Sequence, residues 1–71
     1  MKFVLIIWVC TFMQENACMK PIKYPQLFNS WYECSRAAHI QSVKILRRGG
    51  YVWVNKYKVG TKYSCVIEQS I

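Results

Sequence analysis

The hydrophobic pattern opens on an almost unbroken apolar run from Phe3 to Met13, FVLIIWVCTFM. Val4, Ile6, Ile7, Val9 and Thr11 are β-branched, and Phe3, Trp8 and Phe12 are aromatic. Such side chains suit a pleated sheet. A strand apolar on both faces belongs at the centre of its sheet, covered on both sides or nearly so. Gln14 to Ala17 is polar and turn-like, and Cys18 to Lys20 returns as a short second strand. Pro21 stops the pairing because it has no N–H to donate. In this hairpin Cys10 and Cys18 are equidistant from Gln14 and face each other across the strands, at a separation a disulfide can close. Residues 20–29, KPIKYPQLFN, read as an extended connector because of their two prolines.

The pattern then changes period. Ser30 to Arg48 is helical. Ser30 and Glu33 form a capping box, in which the hydroxyl accepts from the Glu33 N–H and the carboxylate from the Ser30 N–H. Gly49 and Gly50 supply the stop, and Arg47 and Arg48 suit the negative end of the helix dipole. One face carries Trp31, Cys34, Ser35, Ala38, Ser42, Ile45 and Leu46, with the small side chains of Cys34, Ala38 and Ser42 in a stripe that lets the helix sit close on a sheet. The other carries Glu33, Arg36, Ala37, Ile40, Gln41, Lys44, Arg47 and Arg48.

After the glycines, Tyr51 to Val54 (YVWV) reads as a possible extra strand, short and apolar. Val59 to Ile67 alternates, with Val59, Thr61, Tyr63, Cys65 and Ile67 on the buried face. Cys34 and Cys65 therefore both point inward and are expected to pair. The expected fold is a small α+β unit in the order β-β-α-β, one helix on a short antiparallel sheet, stapled by Cys10–Cys18 and Cys34–Cys65.

A chain of 71 residues is one domain. Its core is small enough that staples or self-association become useful, so an oligomer is in keeping with its size. Paired cysteines point to an oxidising or extracytoplasmic setting. The apolar start also permits two other readings of residues 1–17. It is about half the ~20 residues of a membrane-spanning helix, and has the length of a signal-peptide core preceded by Lys2. Cleavage after Ala17 would place Glu15 where a small residue is required. A lipid anchor on Cys18 meets the same obstacle, since Glu15, Asn16 and Ala17 precede it. Removing residues 1–17 leaves three cysteines, which favours the retained strand; in the lipoprotein case Cys34 and Cys65 could still pair.

Charge narrows the function classes. The formal net charge is +7, with three glutamates and no aspartate. Between Cys34 and Ile67 stand Arg36, Lys44, Arg47, Arg48, Lys56, Lys58 and Lys62 with no carboxylate. Either these are ordinary solvated faces or they meet an anionic partner: a protein, a membrane surface or a nucleic acid. Arg47 to Tyr63 interleaves cations with aromatics, of which Trp53 and Tyr57 are the candidates for stacking on unpaired bases; Tyr63 shares the face of Cys65 and reads as core.

Enzymatic chemistry finds little to use. The cysteine gaps are too wide for a Cys-x-x-Cys redox or zinc motif, and His39 is the single histidine. His39 and Cys34 diverge by about 140° around a helix, which argues against a Cys–His nucleophile. Scattered glutamates make no acid–base pair, and no phosphate-binding glycine loop is present. No cofactor or metal is expected, and the protein reads as a non-enzyme.

An apolar start ending in IWVC, a turn to a second cysteine and proline, WYEC opening a helix and YSC in a last strand form a layout. It resembles small uncharacterised proteins of marine bacteriophages and metagenomic sequences across nearly the whole chain. That resemblance implies no activity, ligand or site residue. It does imply that Cys10 belongs to the mature domain. The leading functional expectation is a non-enzymatic basic module for an anionic partner. The alternatives are a secreted or envelope-associated protein with an N-terminal signal or anchor, and a single-stranded nucleic-acid binder.

Overall fold

The computed structural model describes residues 2–13 and 17–68. The elements follow in the order β1 (Lys2–Thr11), β2 (Ala17–Cys18), β3 (Ile22–Phe28), α1 (Trp31–Tyr57) and β4 (Val59–Glu68). All strand pairs are antiparallel, and β1 is common to them. β4 runs along its whole length, from Lys2↔Glu68 to Thr11↔Val59. β3 and β2 share its other edge, β3 beside Phe3 to Ile7 and β2 beside Cys10 and Thr11. The apolar run is thus the central strand, and the fold is α+β with one helix on an antiparallel sheet.

Both disulfides are formed, Cys10–Cys18 and Cys34–Cys65. Cys10 stands directly opposite Cys18 in the ladder. The expected turn around Gln14 falls largely outside the described residues. Cys34 and Cys65 belong to the fully packed core with Leu5, Ile7 and Ala38. Complete burial of a Leu or Ile side chain contributes about 1.5–3 kcal/mol. The small side chains of Cys34 and Ala38 bring the helix close to the sheet, whereas Ser42 in the same stripe is only half-buried. Trp31, assigned to the buried face, is 55% exposed and meets Phe3 edge-to-face. Tyr63 packs on the core and shares a 2.8 Å hydrogen bond with the Ser35 hydroxyl.

Three local expectations are corrected. Ser30 does cap the helix, accepting from the Glu33 N–H at 3.1 Å, but the Glu33 carboxylate accepts from Asn29 N–H at 3.0 Å and not from Ser30. The connector across residues 20–29 contains a strand, β3. Proline is tolerated there because the ladder slips between Val4↔Leu27 and Ile6↔Lys23, and Pro25 lies in that bulge on an edge strand. Finally, Tyr51 to Val54 is helical. This segment instead continues the helix past Gly50, and the bonds that the helix end accepts from Thr11 and Phe12 return the chain to the end of β1.

Gly49 and Gly50 do interrupt the helix, because Gly50 sits at φ 88°, ψ 167°, a conformation that glycine adopts cheaply. The helix resumes and ends at Lys58, whose left-handed backbone donates its N–H to the Val54 carbonyl. The Phe12 N–H donates to the Lys58 carbonyl at 2.9 Å, and the Thr11 hydroxyl donates to the Tyr57 carbonyl. These bonds bring the chain back beside the end of β1, ready to start β4.

Candidate functional site

Side-chain alternation divides the sheet into two surfaces. Phe3, Leu5, Ile7 and Val9 face the helix along with Phe28, Ile22, Tyr63 and Cys65, their partners or near neighbours. Val4, Ile6, Trp8 and Cys10 face the other way, and among the described residues no helix covers them. Val4 and Cys10 are nonetheless buried there, at 5% and 2% exposure, with Leu27 and Val66 flanking Val4 and the disulfide beside Cys10. The accessible surface, 5624 Å², exceeds the roughly 4600 Å² expected of a compact monomer of this size.

The most developed concavity lies between the helix and the β2–β3 edge. One cleft of 580 Å³ has walls of Val9, Met19, Ile22, Tyr24, Ile45 and Trp53. Its rim bears Lys44 and Arg48, and among the described residues no carboxylate lines it. A second cleft of 420 Å³ adjoins it and shares Val9, Met19 and Trp53. That one is bounded by Thr11, Tyr57, Val59 and the β1 and β2 segments at Cys10 and Cys18, and no described residue in its lining is charged. Each volume falls within the range of small-molecule sites, about 300–1,000 Å³.

Local structure sets this geometry. The helical repeat places Gln41, Lys44, Ile45 and Arg48 along one side of the cleft, three and four residues apart. After the break at Gly50 the helix resumes and places Trp53 in the lining of both clefts, where they adjoin. Opposite, the Met19 N–H donates to the Val9 carbonyl at 2.8 Å and holds the start of the β2–β3 connection against β1.

All seven cations singled out above are exposed, on several different surfaces. Lys44 and Arg48 share the cleft. Arg47 borders a shallow depression with Leu46, Gly50 and Tyr51 on another side of the helix. Arg36 lies near Glu33 and Ile40. Lys56 sits 5.4 Å from the Tyr57 ring centre. The Lys58 ammonium donates to the Asn55 carbonyl at 2.8 Å. Lys62 pairs with Trp8 on the face away from the helix, 5.9 Å from the Phe12 ring.

The aromatic pair Trp53 and Tyr57 is brought together, since both line the second cleft. His39 is exposed, with Nδ1 2.8 Å from the Ser35 carbonyl and its ring edge-on to Tyr63. Among the described residues no cluster of metal-ligating side chains occurs, and no helix is long and apolar enough to cross a membrane. Met19, Ile22 and Tyr24 were the residues missed. Their signal was the apolar alternation of Ile22 and Tyr24, masked by the flanking prolines.

No family model, curated protein or solved structure matches this chain.

Proposed function

We propose that this protein is a non-enzymatic binding module that holds an anionic ligand at Lys44 and Arg48. The observation that carries the reading is the pairing of these cations on one rim of an apolar cleft that, among the described residues, no carboxylate lines. Two cations one helical turn apart attract an anion in concert, and the low-polarity walls beneath them weaken solvent screening. The two disulfides support folding in an oxidising compartment.

The test is a titration of the oxidised, isotope-labelled protein with pyrophosphate, followed by amide chemical shifts. Changes centred on Gln41, Ile45 and Gly49 are expected. They should shrink in Lys44→Gln/Arg48→Gln, persist in Lys62→Gln, and weaken with added salt. Shifts spread evenly over all the cations, or none at all, would refute the site.

A further inference from the structure

Resting on that reading, we infer that the ligand is a single-chain amphiphile: an anionic head at Lys44 and Arg48 with a linear alkyl tail along the groove past Trp53. The two clefts form one groove, because Val9, Met19 and Trp53 belong to both. Among the described residues, charge is confined to one end of it: Lys44 and Arg48 stand at the first cleft, and no described residue in the lining of the second is charged. The far end is walled by Val59, Tyr57 and the β1 and β2 segments at Cys10 and Cys18.

The polar inventory of the second cleft selects the tail. The Thr11 hydroxyl is committed to the Tyr57 carbonyl, which among the described lining residues leaves the Tyr57 hydroxyl as the free side-chain polar group. An alkyl chain has no polar group to satisfy in such a lining. The ligand is the monomeric amphiphile and not a bilayer, because the tail must lie along a groove between helix and sheet.

The experiment measures affinity of the oxidised full chain for hexanoate, octanoate, decanoate and dodecanoate below their micelle-forming concentrations. Affinity should rise along the series by up to about four-fold for each methylene buried. Lys44→Gln/Arg48→Gln should weaken decanoate binding about ten-fold, as loss of a charge-assisted hydrogen bond does. Met19 is exposed, so Met19→Gln is expected to fold and to flatten the dependence on chain length. A bromine-bearing alkanoate should quench tryptophan fluorescence, and Trp53→Phe should remove that quenching while Trp8 and Trp31 still emit.

Affinity independent of chain length, with the pyrophosphate shifts intact, overturns the amphiphile and leaves the anion site standing. If neither pyrophosphate nor alkanoates bind, both readings fall. Decanol binding as tightly as decanoate overturns the anionic head. Binding confined to phosphatidylglycerol vesicles, with monomeric alkanoates ignored, overturns the single-chain ligand in favour of a membrane surface.

Discussion

Trp53 lays its ring directly over Gly49: a Cβ placed on that glycine would fall 2.0 Å from Trp53 Cε3 and 2.3 Å from Cζ3. The absence of a side chain at Gly49 is therefore what lets Trp53 pack against the helix where the two clefts adjoin.

Gly49→Ala reverses the usual sign of a helical Gly→Ala change. Helix propensity alone would stabilise the variant by about 1 kcal/mol. The clash forces Trp53 to move, and overpacking costs typically about 1–3 kcal/mol. A net destabilisation of up to about 2 kcal/mol in urea unfolding is expected, with altered tryptophan emission. A stabilised variant with unchanged emission would show that the ring does not rest on Gly49.

The same relationship recurs on the uncovered side of the sheet, where a Cβ on Gly60 would lie 2.6 Å from the Phe12 ring. Gly60→Ala is expected to cost about 1–3 kcal/mol. Phe12→Ala removes the obstacle, so a double-mutant cycle should show coupling of about 0.5–3 kcal/mol in the favourable direction. Simple additivity would mean that the two residues do not share the space.

The disulfides should contribute unequally. Cys34–Cys65 spans 31 residues and Cys10–Cys18 spans 8. Constraint of the unfolded chain predicts about 3.7 kcal/mol for the first and about 2.5 kcal/mol for the second. Equilibrium unfolding of Cys34→Ala/Cys65→Ala beside Cys10→Ser/Cys18→Ser measures both. Equal losses, or a larger loss at the short loop, would contradict the entropic account here.

Local and periodic features were legible in the chain itself. The β-branched run from Phe3 to Thr11 has one comfortable backbone, and its two apolar faces called for a central position. Cys10 and Cys18 sit symmetrically about a polar turn, so strand pairing alone puts them opposite one another. Ser30 with Glu33 marked the helix start, although the carboxylate bonds one residue earlier than the usual box. The strict alternation through Tyr63 and Cys65 showed which cysteine could meet Cys34.

Elsewhere local signals pointed away from the outcome. Pro21 and Pro25 argued for a connector, yet β1 offered a free edge beside Phe3 to Ile7, and a bulge at Pro25 let β3 take it. YVWV has strand propensity, yet it continues the helix past Gly50, and the bonds from Thr11 and Phe12 to the carbonyls of Tyr57 and Lys58 draw a helical segment back to the sheet. Propensities differ by at most about 1 kcal/mol per residue, less than an unpaired strand edge forfeits.

The cations show the same division. Their number and the lack of neighbouring carboxylates are properties of composition, readable from the chain. Which of them share a surface depends on helical phase, on the break at Gly50 and on which face of β4 each residue takes. Lys44 and Arg48 meet on one rim because they are four residues apart on a continuous helix. Lys62 is turned to the far side by one step of strand alternation. The sequence by itself determined the strands and helix start that local pattern dictates, and the cysteine pairs. The tertiary structure alone decided where β3 pairs, how the helix continues past Gly50 and that a groove opens beneath Lys44 and Arg48, because each depends on edges and faces that distant segments supply.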